Sequence, residues 1–171
     1  MFFMVMVLAG LISSDAAAQS GASYGEIGYY VDATGFQGDS SNYYGAEAGM
    51  CFSPFRYTDL EAGFSIMNGN DQTFTFFNTR LGLFSPQYLN MRVIGGASVG
   101  IQISAPDDYQ LDSDWPGRDE ATDSWLLPYC GLEYLLRETD SGYSVRIHSR
   151  AAFTEDTVRR ITVGMVLTSP V

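Results

Sequence analysis

His148 is the single histidine of the chain, and Ser149 follows it. A serine beside a histidine is the raw material of a nucleophile and its base, provided the two side chains share a face. The segment around them, residues 143–153, reads YSVRIHSRAAF. Tyr143, Val145, Ile147, Ala151 and Phe153 fall on one parity; Arg146, His148 and Arg150 fall on the other. Side chains alternate across a strand, so His148 and Ser149 point to opposite faces and form no dyad. A second concentration of reactive groups lies in residues 105–123, where Asp107, Asp108, Asp112, Asp114, Asp119, Glu120 and Asp123 surround Arg118. Asp112-Ser113-Asp114 hints at calcium, but the central Gly and terminal Glu of an EF-hand loop are missing, so no metal or cofactor is expected. The segment reads as a solvated acidic loop, and its aromatics, Tyr109 and Trp115, give it the character of a contact surface. Asp107, Asp108, Tyr109, Asp112, Asp114, Trp115 and Arg118 are the candidate contact residues.

The cations of the 143–153 strand need partners, and the other strand-like runs supply them one at a time. Glu26, Glu47, Glu61 and Glu133 each stand between apolar neighbours. A closed barrel, apolar outside and charged within, accounts for both faces at once. Glycine identifies the inside: Gly28, Gly45, Gly49, Gly63, Gly82, Gly96, Gly100, Gly131 and Gly164 share parity with the charged residues. The interior of an eight-stranded barrel is only wide enough to be filled by side chains, so small residues belong there. The opposite face offers Tyr29, Met50, Phe64, Leu81, Val99, Leu132, Val163 and their like. A lipocalin-like soluble barrel would reverse that arrangement.

Hairpin arithmetic sharpens the expectation. Residues equidistant from a turn face each other, so Glu47 meets Glu61 about Pro54 and Arg80 meets Arg92 about Pro86. Glu61 then lies opposite Arg80 across residues 70–71, and Glu133 opposite Arg146 across 139–140. Glu47, Glu61, Arg80, Arg92, Glu133 and Arg146 are thereby expected at one level of the lumen, three charges against three.

The elements that must position these charges are eight strand-like runs, roughly 23–34, 43–52, 57–67, 73–84, 88–103, 124–137, 143–153 and 157–168. Most reach the ~9–11 residues that a tilted strand needs to cross a bilayer. Ser53-Pro54-Phe55, Ser85-Pro86-Gln87 and residues 138–142 are tight connectors; residues 34–42, 68–72 and 104–124 are longer and polar. Short turns at one end and long loops at the other are the pattern of outer-membrane barrels. Aromatics near strand ends suggest two interfacial belts: Phe52, Phe55, Tyr57, Phe84, Tyr88 and Tyr143 at the turn end, Tyr43, Tyr44, Phe74, Trp125 and Phe153 at the loop end.

At 171 residues the chain is one domain. Acids outnumber bases 20 to 9, every base being arginine, which argues against nucleic-acid binding. Cys51 and Cys130 fall on well-separated strands at different heights, so no disulfide is expected, and mass spectrometry would reveal one. Residues 1–18 hold a short apolar run followed by Ala16-Ala17-Ala18 and read as a secretory signal, leaving 19–171 as the barrel domain.

Together with that signal and the strand count, Tyr24-Gly25-Glu26-Ile27-Gly28-Tyr29 and Gly131-Leu132-Glu133-Tyr134 give the chain a resemblance to the small outer-membrane barrels of the OmpA and OmpX kind, over about residues 22–168. The resemblance implies an all-β, eight-stranded antiparallel up-and-down transmembrane β-barrel with a charged, side-chain-filled lumen. It also implies a bacterial outer-membrane location with lipid or lipopolysaccharide around it. Presenting surface loops for adhesion, envelope integrity or docking is the expected function; a narrow channel and a lipid-modifying enzyme are the alternatives. Lipid A deacylase barrels carry a His-x-Ser motif, a spacing that His148-Ser149 does not match. The chain ends Leu167-Thr168-Ser169-Pro170-Val171 rather than on the family's terminal aromatic, which leaves room for a protein partner or a larger envelope complex.

Overall fold

The structure, a computed structural model, describes residues 25–37, 42–55, 57–69, 72–104, 118–119, 124–154 and 157–170. The signal segment and most of the acidic loop, including Asp107, Asp108, Tyr109, Asp112, Asp114 and Trp115, lie outside the described residues.

Eight long strands form the staves: β1 (Glu26–Gln37), β2 (Asn42–Ser53), β3 (Thr58–Gly69), β4 (Gln72–Phe84), β5 (Met91–Ser104), β7 (Ser124–Glu138), β8 (Ser144–Thr154) and β9 (Thr157–Pro170). The two-residue β6 (Arg118–Asp119) pairs with Trp125 and Ser124, on the part of β7 that β8 leaves uncovered beyond Tyr129. Sequential neighbours pair antiparallel throughout, β1 pairs with β9, and β5 with β7, so the sheet closes on itself. Closure removes every long free edge.

Following paired residues from Asp32 through Glu47, Ser65 and Phe76 reaches β5 at Gln102, whereas the other way round, through Gly164, His148 and Glu133, reaches it ten residues away at Arg92. That stagger tilts the strands, in the range of ~35–45° typical of barrels. Each staff of 11–15 residues is therefore long enough to cross a bilayer obliquely.

Burial alternates strictly along β1 and β3: the charged residues lie inward together with Tyr30, Phe36 and Met67, and the outward face is mostly aliphatic and aromatic. Tyr29, Val31, Phe64, Leu81, Leu132, Val163 and Met165 are all exposed on the outer face, while Asp32, Glu47, Arg80, Glu133 and His148 are buried. A surface so apolar over a polar interior is the inverse of a soluble barrel, and it makes this a transmembrane β-barrel.

Several turns differ from the sequence expectation. The β2–β3 hairpin pairs Tyr44 with Asn68 and Phe52 with Leu60, centring it two residues beyond Pro54. The β4–β5 connection turns at Leu89 and Asn90, both at positive φ (48° and 65°), between Tyr88 and Met91. Two successive left-handed residues make a tight hairpin turn, here without the usual glycine. The Ser85-Pro86 pair only leads into it: Ser85 N–H donates to the Val93 carbonyl and Val93 N–H to Ser85 Oγ, both at 2.8 Å. Strand five consequently begins at Met91 rather than at residue 88, and β1 runs on to Gln37.

The belts also need correcting. Tyr43, Phe74, Trp125 and Phe84 are buried in the lumen, because they share parity with Glu47, Arg80, Glu133 and Arg80 of their own strands. Phe52, Phe55, Tyr88 and Tyr143 stand outward at the turn end, and Tyr44 does so at the loop end.

Candidate functional site

The lumen is where the fold concentrates its chemistry. Among the described residues the buried acids are Glu26, Asp32, Glu47, Asp59, Glu61 and Glu133; the buried bases are Arg80, Arg92, Arg146, Arg150 and Arg160, with His148 beside them. A charge taken out of water is costly unless it is paired and hydrogen-bonded, so the contacts decide whether this interior is viable.

Arg80 lies at the middle of the network. Its Nη1 donates to Glu61 Oε2 at 2.6 Å and its Nη2 to Glu47 Oε2 at 2.7 Å, with Asp32 Oδ2 at 3.6 Å. Glu61 is shared with Arg150, which approaches as a fork, Nη1 to Oε2 at 2.7 Å and Nη2 to Oε1. Glu47 is shared with Arg160 Nη2 at 2.6 Å and accepts from the Tyr30 hydroxyl at 2.8 Å. Arg160 Nε reaches across to Thr34 Oγ1 at 2.9 Å. His148 Nε2 lies 2.8 Å from Asp32 Oδ1, both side chains fully buried. A smaller group lies toward the turns. Arg92 Nε and Nη2 both meet Glu133 Oε1, at 2.9 and 2.6 Å; Arg146 meets Glu133 at 3.5 Å and Glu26 at 3.2 Å.

Arginine suits this role because its planar fork can bind two carboxylates at once and stack on rings. Both uses occur: Arg92 lies 3.5 Å above the Phe84 ring centroid, Arg160 5.2 Å from Trp125, Arg80 5.5 Å from Tyr30 and Arg150 5.8 Å from Tyr129. Glycine makes room for the network. A Cβ on Gly164 would overlap the Asp32 carboxylate, and one on Gly100 would overlap the Trp125 indole.

All six residues expected in the lumen are there, but not as a single ring. Of the four facing pairs expected, only Glu61–Arg80 is kept in the strand register; Glu47 faces Ser65, Arg80 faces Ser98 and Glu133 faces His148 on β8, while on its β5 side Glu133 faces Arg92. The displaced turn centres explain the first two differences, and barrel stagger means that facing residues on tilted strands do not keep one height. Long side chains restore the contacts by another route, so that the six divide into Glu47, Glu61 and Arg80 in one group and Arg92, Glu133 and Arg146 in the other. The hairpin arithmetic missed Asp32, Arg150 and Arg160, although each has luminal parity. Ser149 is exposed on the outer face while His148 is buried. Arg118 is described only as part of β6. Cys51 and Cys130 are both free.

Beyond the charges toward the loops, the lumen changes character. Phe36, Tyr43, Met67, Phe74, Phe76, Trp125 and Leu127 belong to one buried apolar cluster. Tyr43 meets Phe36 and Phe74 at centroid distances of 5.8 Å, Phe74 and Tyr43 edge to face. Packed rings of this kind fill the lumen between these strands with apolar side chains.

No family model and no curated protein matches the chain. It is similar to a solved structure described as "De novo design of transmembrane beta-barrels", at 12% identity and a TM-score of 0.48, covering 85% of this chain and 97% of that one.

Proposed function

We propose that this is a non-enzymatic integral outer-membrane protein whose barrel is a rigid, non-conducting stand for its loops. The single observation that carries the reading is the filled lumen. Arginine–carboxylate contacts occupy the middle and turn side, an aromatic cluster occupies the loop side, and an apolar outer face surrounds both. A rigid scaffold of this kind places function in what it displays. The longest connection, between β5 and β7, holds the acidic stretch with Tyr109 and Trp115, which suits adhesion or docking to an envelope partner. Exporting such a chain calls for a signal, and residues 1–18 have that composition.

The test begins with gel mobility. Protein from the outer-membrane fraction should migrate differently with and without boiling, and identical mobility would count against an independently stable barrel. Removing residues 107–117, which spares β6, should leave that shift intact and abolish binding to the partner surface. A deletion that prevents assembly would make the loop structural instead. Planar-bilayer recordings should show no conductance above background; discrete channels would favour the narrow pore. Unchanged lipid A acylation in a deletion strain would oppose the enzymatic reading.

A further inference from the structure

Among the described residues, Asp59 is the buried carboxyl without an arginine of its own. Glu26, Asp32, Glu47, Glu61 and Glu133 each lie within ion-pair distance of at least one guanidinium. Asp59, 5% exposed, forms no such pair, and its hydrogen-bond partner is Glu61, two residues along the same face of β3. An ionised carboxylate only accepts hydrogen bonds, so a bond between two carboxyl groups contains a proton. Two bare carboxylates side by side in a closed interior repel each other instead.

The neighbours assign that proton to Asp59. Glu61 accepts from Arg80 and forklike from Arg150, and so remains the carboxylate. A cavity of about 10 Å³ near the turns touches both acids, and the ionisable groups around it are Glu26 on β1, Cys51 on β2, Arg92 on β5, Glu133 on β7 and Arg150 on β8. β4 and β9 contribute Phe84 and Thr168, which carry no charge. Both cations are already engaged: Arg150 donates through Nη1 and Nη2 to Glu61, and Arg92 contacts Glu133 through Nε and Nη2. The count agrees, since six buried acids face five buried arginines. A proton on His148 would balance the same count, but it would serve Asp32, to which His148 is bonded, and leave Asp59 and Glu61 as adjacent anions.

We propose that the folded barrel holds one proton in its lumen, on Asp59 and donated to Glu61, and that the chain takes up this proton as it folds. In the unfolded chain an aspartate is ionised above about pH 4. Between that pH and the pH at which the folded barrel releases the proton, folding binds one proton, so stability falls as pH rises. The Asp59 carboxylate gains the proton from solvent when β3 enters the barrel and returns it on unfolding. The barrel thereby gains stability from neutral toward mildly acidic pH, whatever its loops bind.

Infrared spectra of the barrel in detergent, in H2O and D2O, test this directly. At pH 7 the wild type should show the carbonyl stretch of a protonated carboxyl, on the high-frequency side of the backbone amide band and shifted in D2O. Asp59→Asn should lack it; Asn has nearly the shape of the neutral acid, and its amide can donate to Glu61. Urea unfolding gives the proton count. Between pH 6 and pH 7 the unfolding equilibrium constant of the wild type should rise about tenfold more than that of Asp59→Asn, the signature of one proton. Any contribution of His148 is common to both proteins and cancels. Heat-shifted mobility identifies folded samples. Absence of the band in the wild type overturns the proposal whether or not the variant folds. A band that persists in folded Asp59→Asn overturns it too, as do parallel pH slopes; a slope lost instead in His148→Gln would give the proton to the imidazole.

Discussion

The middle and turn side of the lumen and its loop-side end fill the same width of barrel with different chemistry. In the first, Arg80, Arg150 and Arg160 are threaded between Asp32, Glu47 and Glu61, and each contact is directional and dependent on the next. In the second, Phe36, Tyr43, Phe74 and Phe76 pack ring against ring. Stacked arginines join the two: Arg160 binds Glu47 on one side and lies over Trp125 on the other. The charged part fixes which residues meet, since a mispaired ion in the interior is costly; the aromatic part fixes only volume. Mutations should therefore propagate in one region and stay local in the other.

The largest effect is expected at Glu61, which holds both Arg80 and Arg150. Glu61→Gln leaves two buried guanidinium groups short of charge and should cost about 3–5 kcal/mol, seen as a lower urea midpoint in detergent. Arg80→Met alone should also destabilise. Adding Arg80→Met to Glu61→Gln should recover part of the loss, because Arg150 still lacks its carboxylate. Adding Arg150→Met instead should recover more, since Arg80 keeps Glu47 and lies near Asp32. Strictly additive losses in both doubles would mean that these groups do not act as a network.

At the loop-side end, Phe76→Ala removes a fully buried ring from the aromatic cluster and should cost about 3 kcal/mol. No compensating second substitution exists for it among the charges. If Glu61→Gln and Phe76→Ala proved strongly coupled, the division of the lumen into two regimes would fail.

Gly164→Ala probes how closely the charged part is fitted. The new methyl would overlap the Asp32 carboxylate and the Val31 carbonyl, and should cost about 2 kcal/mol by overpacking. Among the described residues the outward-facing Gly35→Ala meets Tyr44 Cδ1 at 3.8 Å and nothing nearer, and it serves as the control. Equal stability of the two variants would contradict the described position of Asp32.

The barrel is legible because its two faces obey period two along most of each staff, interrupted only locally by register shifts on β4, β7 and β8. Strand ends are less legible, because Pro54 and Pro86 are the conspicuous turn residues whereas the backbone of Leu89 and Asn90 makes the β4–β5 reversal. Errors of a few residues in a turn centre shift every facing pair of that hairpin, which is why Glu47 and Glu61 do not face each other. Displacing a turn centre by two or three residues moves each facing partner by twice as much, four residues on β3 and six on β5, so parity is kept and Glu47, Glu61, Arg80 and Arg92 all remain luminal. Parity also separated Tyr43, Phe74 and Trp125 from the lipid face, a signal obscured by reading aromatics only by their distance from strand ends. The stagger of ten residues could not be read at all, because it is a property of the closed sheet rather than of any one hairpin.

The smallest effect is the most discriminating. Tyr30 donates to Glu47 Oε1 at 2.8 Å, while Arg80 and Arg160 both bind Oε2 of the same carboxylate. Tyr30→Phe removes one donor but leaves both cations in place, so the loss should be about 1.5 kcal/mol, that of a single hydrogen bond to a charged group. Arg80 also lies over the Tyr30 ring, which the substitution preserves. Tyr30→Phe should therefore be non-additive with Arg80→Met, because the two act on one carboxylate, and additive within about 0.5 kcal/mol with Phe76→Ala, which shares no partner with it. Urea midpoints of the three singles and two doubles test both statements. Coupling to Phe76 as large as that to Arg80 would show that the aromatic cluster transmits strain into the charge network, and the lumen would then be one cooperative filling rather than two.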